Sequence, residues 1–181
     1  MTVVASLRSL VCVTGALLAV LLPGAQPAWA GPPPYEVARW PPPADDGWPS
    51  VGRAAGVAAE VVAGVNRRRV AAGCRPVRLR SSLGRAARAH SADMARHERL
   101  DHTGTDGSGP QERMRAAGYR AAYAGEAIAA GADSARAVVG EWMDSPSHRD
   151  LILTCRFTHA GVGRAEGPGG PWWTLDLASK H

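Results

Sequence analysis

Three short stretches of this sequence carry the side chains best suited to chemistry: His102 in "LDHTG", Glu126 in "AGEAIA" and His148 in "SPSHRDLIL". Two neutral imidazoles and one carboxylate make a ligand set for a divalent metal with an open position, and zinc is the metal such donors favour. The same trio would also serve proton transfer, with one imidazole as general base and the carboxylate orienting its ring. A third arrangement is chemically silent: a hydrogen-bonded polar cluster that ties loops to the body of the fold. Because the three residues lie far apart in sequence, spacing alone leaves all three readings open.

Other site patterns fail on geometry. "HERLDH" resembles the zinc helix of a metalloprotease, which needs two histidines four residues apart on one helical face. His97 and His102 are five apart, which turns them roughly 140° from one another on a helix of 3.6 residues per turn. "DHTGTDGSGPQE" has acids at both ends like a calcium loop, but places threonines at intermediate ligand positions and misplaces the glycine. "GTDGSG" lacks the preceding strand and following lysine of a phosphate cradle. Neither a serine-hydrolase nor a cysteine-protease signature is present.

The elements that must position the trio can be read from periodicity. From Arg53, Val57, Val61, Val65 and Val70 predict one apolar helix face, stopped by Gly73. "PVRLR" is a short extended piece. Ser81 or Ser82 would cap a second helix reaching about Arg99, with Leu83, Ala87, His90 and Met94 as its buried stripe. His90 on that stripe reads as a satisfied core histidine; His97, His159 and His181 carry no motif. "DHTGTDGSG" is a loop, and Pro110 opens a third helix ended by Gly118. "YAGEAIAAG" reads as irregular or short extended chain. A fourth helix spans about Asp133 to Met143, capped by Asp133 or Ser134, and Ser145 with Pro146 starts another helical turn. "HAGVGRA" and "WWTLDLA" form a terminal hairpin across "EGPGG". Trp142, Trp172 and Trp173 are expected to pack the core, although adjacent strand residues face opposite ways and one tryptophan would then point outward as a ligand platform.

The 181 residues, 45% hydrophobic and 20% charged, suit one globular domain. Residues 1–30 read as a signal peptide: Arg8, then the apolar run Leu10 to Leu22, then "AWA" ending at Ala30. That run is too short for a bilayer-spanning helix, which needs about 20 residues. Residues 31–52 are a Pro-rich linker, and residues 53–181 the domain. Removing the leader removes Cys12 and leaves Cys74 and Cys155 in an oxidising compartment, where a disulfide is the simplest reading and two buried free thiols the alternative. Net charge is +5, and the excess arginine includes "NRRR" at Asn66 to Arg69, which fans around a helix and reads as a solvated face. Export argues against nucleic acid as a partner.

Together with "HSADM" in the second helix, "VVGEWM" in the fourth, "GVG" and "WWTLDLA", the three site fragments resemble the bacterial branch of the CAP superfamily: cysteine-rich secretory, antigen five and pathogenesis-related proteins, also called the SCP domain. The resemblance covers about residues 55 to 179. It implies an α+β fold, a three-layer α-β-α sandwich, with a groove holding His102, Glu126 and His148. It also marks departures. The glutamate that follows the helix tryptophan in eukaryotic members falls on Ser145, the asparagine of "GEN" is Ala127, and that of "HRxNIL" is Leu151.

A secreted, monomeric binding module for lipid or cell-wall material is therefore expected, since some family members are reported to bind lipids or sterols. A metal-assisted hydrolase using the same groove, with zinc as cofactor, and a non-catalytic structural envelope protein are the alternatives.

Overall fold

Alternation along the last strand sets the architecture. Trp173, Leu175 and Leu177 point to one face of the sheet, while Trp172, Thr174, Asp176 and Ala178 point to the other, and every residue of the strand is buried. A sheet buried on both faces needs a layer on each. The computed structural model supplies both. It describes residues 55–180, so the expected leader and the whole expected linker, with residues 53, 54 and 181, lie outside the described residues.

In chain order the elements are α1 (Ala55–Ala71), β1 (Arg78–Leu79), α2 (Ser81–His97), α3 (Pro110–Ala116), β2 (Tyr123–Ala130), α4 (Ala135–Asp144), α5 (Pro146–Ile152), β3 (His159–Ala165) and β4 (Trp172–Ser179). The sheet order is β1-β3-β4-β2, antiparallel except for the β1–β3 pair. One layer, α1 with α4 and α5, buries Val61, Val65, Val138 and Trp142 against Trp173 and Leu175. On the opposite face, α2 and α3 bury Leu83, Ala86, Met114 and Tyr119 against Ala178, while Met94 and Ala95 meet Trp172 and Ile128. The fold is α+β with helices on both faces, and β3 and β4 form the expected C-terminal hairpin.

Several expectations are corrected. "YAGEAIAA" is a regular eight-residue strand, paired along its length with β4; its small residues hide the alternation that marks a strand. Neither tryptophan of β4 faces water, because both sheet faces are covered: Trp172 donates to the Pro168 carbonyl and Trp173 to the Ala132 carbonyl. Residue 80 rather than Ser81 or Ser82 is the N-cap of α2, without a side-chain cap, and the helix ends at His97. Ser134 caps α4 as expected, accepting from the Ala137 amide.

The α1 face is also redrawn. Val70 is exposed, and Arg69 is buried in its place. Residue 69 lies four positions after Val65 and inherits the buried face, whereas residue 70 is rotated away. The Arg69 guanidinium donates to the carbonyls of Arg75, Ile152, Thr154 and Phe157, so this part of "NRRR" is a buried clamp and not a solvated face. It holds the segment after α5 beside the disulfide, which joins Cys74 to Cys155 as expected.

Close approach of α2 to the sheet depends on two glycines. A Cβ on Gly161 would overlap the Leu83 and Gly84 backbone, and one on Gly163 would overlap the Ala87 carbonyl. Their absence of side chains lets α2 lie directly on β3, which carries His90 over β2 and Glu126.

Candidate functional site

Glu126 is the centre of the arrangement. It sits on the α2-facing side of β2, with its side chain only 1% exposed. Oε1 accepts from His102 Nδ1 at 2.8 Å, and Oε2 accepts from Arg113 Nη2 at 2.7 Å. Arg113 also donates to the Ser108 carbonyl at 2.5 Å and the His102 carbonyl at 2.9 Å. One guanidinium thus fastens both the carboxylate and the loop that carries His102. Such charge-assisted bonds are about twice as strong as neutral ones.

The loop is held from within by its own acids. Asp101 accepts from the Thr103 amide, Asp106 from the Ser108 amide, and Asp93 of α2 from both the amide and hydroxyl of Thr105. Burial alone would raise the Asp93 pKa, but the two Thr105 bonds hold it below the usual carboxylate range. These acids close turns.

The three residues singled out by sequence come together in part. His102 bonds Glu126 directly, and its side chain is 52% exposed, so the ring presents Nε2 outward while Nδ1 is held. His148, near the start of α5, is half-buried and close enough for His102 to act on its charge; burial first, then His102, pushes its pKa down. Among the described residues His148 makes no hydrogen bond to either partner. A cavity of about 580 Å³ lies elsewhere, between α2, the 104–108 loop and α3, and reaches this site only through His90 and Arg113. The His102 side is open surface.

Two buried groups complete the network. His90 is 1% exposed, its Nε2 lies 3.7 Å from Glu126 Oε1, and its ring faces the Asp101 backbone without a hydrogen bond of good geometry at either nitrogen. It is a core histidine, as expected. Burial drives its pKa down despite the nearby Glu126 carboxylate, so the ring is neutral at neutral pH. Asp176 of β4, the cross-strand partner of Glu126, is equally buried. Arg113 and Asp176 escaped the sequence reading. The first lies in an ordinary charged helix, and the second is a single acid in an apolar strand; only the register of β4 against β2 reveals its neighbour.

The departures from the family pattern also have places. Ala127 points away from Glu126 into the opposite core layer, Ser145 is the N-cap of α5, and Leu151 packs against Gly125. As a zinc site the trio does not fit. Both Glu126 oxygens are taken by His102 and Arg113, and among the described residues no group of three or more His, Cys, Asp or Glu side chains is arranged to hold a metal. What the geometry offers is a carboxylate that fixes the tautomer and aim of an exposed imidazole.

Comparison with known proteins agrees with this architecture. The profile described as the cysteine-rich secretory protein family, CAP, matches residues 62–177. The chain belongs to the CAP family. A curated relative of this CAP domain, the uncharacterized protein YkwD of Bacillus subtilis (strain 168), is 36% identical over 121 residues, covering 67% of this chain and 46% of the relative. The chain therefore spans less than half the length of that relative. An extracellular protein containing an SCP domain from Bacillus anthracis has a TM-score of 0.65 at 23% identity, over 70% of this chain and 41% of its own. An outer surface protein from Borrelia burgdorferi has a TM-score of 0.61 at 16% identity, over 67% of this chain and 90% of its own. A cysteine-rich secretory protein from Staphylococcus aureus gives 0.60 at 14%, over 72% and 40%. At these identities the structures speak for the fold. Among the described residues no helix is long and apolar enough to cross a membrane.

Proposed function

We propose that this CAP domain is exported, loses residues 1–30, and binds lipid or cell-wall material through the surface formed by His102 and His148. One observation carries the reading: Glu126 holds His102 Nδ1, so that Nε2 is presented at the exposed surface beside a second, neutral imidazole. Two neighbouring imidazoles offer hydrogen-bond donors or acceptors to phosphate, carboxylate or sugar hydroxyl groups, according to their protonation. Net charge, +5 for the full chain and one less without Arg8, favours anionic envelope polymers or head groups. Binding is preferred to turnover because, among the described residues, no serine, threonine or cysteine nucleophile is hydrogen-bonded to either imidazole.

The test is co-sedimentation of the wild type and a His102→Ala, His148→Ala double variant with isolated cell walls and with anionic vesicles. Loss of capture in the double variant supports the reading; equal capture by both proteins refutes it. Rising salt separates the ligands, because apolar lipid capture persists as charge attraction is screened. A second reading, hydrolysis, is favoured by the His102–Glu126 pair itself, which resembles a general base with its orienting carboxylate acting on water. It requires turnover of peptide or ester substrates that disappears with His102→Ala. A structural envelope role would show wall capture indifferent to both histidines.

A further inference from the structure

Glu126 has a carboxyl neighbour whose role is not assigned. Strand pairing sets Glu126 directly opposite Asp176, on the same face of the sheet beneath α2. The residue opposite Asp176 on its other side is Gly161, which brings no side chain. The charged and titratable groups around the pair are Arg113 of α3, His90 of α2 and His102 of the loop. Among the described residues Arg113 is the one permanent cation in contact with it. The two carboxyl groups lie side by side on that buried face, within reach of a hydrogen bond between them.

Two neighbouring buried carboxyl groups facing one permanent cation do not both ionise. Glu126 is the one suited to keep the charge, because Arg113 and His102 both donate to it. Asp176 has no such donors, and its Oδ1 is buried without a partner. That is the pattern of a carboxylic acid whose O–H is used by a neighbour and whose carbonyl oxygen is left over.

We propose that Asp176 is a protonated acid at neutral pH and a positioning residue for the site: its O–H donates to Glu126 and locks that carboxylate in the orientation that grips His102 Nδ1. Burial, and then the charge of Glu126, raises the Asp176 pKa well above the ordinary carboxylate range, with Arg113 opposing. The effect reaches the surface through one intermediate. Asp176 fixes Glu126, and Glu126 fixes which nitrogen of His102 faces outward. The proposal rests on the reading that Glu126 orients His102, and not on the identity of the ligand.

The test uses the mature protein with Asp176→Asn and Asp176→Leu. The amide of Asp176→Asn can still donate to Glu126; leucine cannot. Infrared difference spectra at neutral pH, wild type minus Asp176→Asn, should show the carbonyl stretch of a protonated carboxylic acid. Long-range proton–nitrogen spectra, recorded above the range in which imidazoles titrate, should show His102 as the Nδ1–H tautomer in the wild type and in Asp176→Asn. In Asp176→Leu that preference should fall about fivefold, the worth of one ordinary hydrogen bond. Absence of the acid band, or a tautomer disturbed as much by asparagine as by leucine, overturns the proposal. If the leucine variant fails to fold, the infrared band and the asparagine variant still decide. Envelope binding is scored separately: unchanged capture by the His102→Ala, His148→Ala variant sinks the binding reading and leaves the Asp176 assignment standing.

Discussion

Replacing Arg69 by methionine keeps the length and packing of the side chain and removes five hydrogen bonds to four carbonyls. The bonds to Ile152 and Phe157 are buried, and those to Arg75 and Thr154 half-buried. Each stranded buried acceptor costs about 1 to 3 kcal/mol, and each of the two half-buried carbonyls about 0.5 to 1.5. The total is roughly 3 to 9 kcal/mol, and the lower half of that range is expected because the buried guanidinium is itself desolvated, which lowers its pKa. Urea unfolding of wild type, Arg69→Met and Arg69→Lys measures it, with lysine expected between the other two because it lacks the planar fork. The clamp holds residues 152–157, just after the helix that bears His148, so hydrogen exchange there should rise even where the domain stays folded. A loss under about 1 kcal/mol with unchanged exchange would show that Arg69 is no clamp.

Glu126→Gln should destabilise by about 2 to 4 kcal/mol, since Arg113 loses its ionic partner in a buried setting; amide exchange at Thr103–Ser108 reports the loosened loop. Reducing the Cys74–Cys155 bond, whose cysteines lie 81 residues apart, should cost up to about 4 to 5 kcal/mol on the chain-entropy account, read as a drop in Tm with reductant. The pH dependence has two opposed parts. His90 and His148 have lowered pKa values in the fold, so the stability tied to their neutral forms is present above the unfolded value near 6.5 and is lost as pH falls below it. Asp176 has a raised value, so its contribution declines as pH rises above the unfolded value near 4. Asp176→Asn removes that second part. Its Tm should exceed the wild type at neutral pH, with the advantage shrinking toward pH 4.

Much of the fold was legible because long amphipathic helices and the alternating β4 announce themselves. The β3–β4 hairpin and α4 with its Ser134 cap followed from local signals, and the disulfide from the count of cysteines left once the expected leader is removed. Strand β2 did not: Ala124, Gly125, Ala127 and Ala129 have too little side chain to show period two, and only pairing with β4 makes it a strand. Arg69 was misread because its burial depends on carbonyls at residues 152–157, far along the chain. For the site, the motifs located His102, Glu126 and His148, but not the bonding among them. Glu126 looked free to bind a metal until Arg113 was seen on its second oxygen.

On the proposed function, His102 and His148 act as one recognition surface aimed by Glu126. Titrating the isotope-labelled mature protein with solubilised wall fragments, and in parallel with anionic bicelles, while following the histidine ring signals tests it most directly. The His102 and His148 rings should shift together, with one shared affinity, in at least one titration. Saturable binding that leaves both rings unmoved would contradict it.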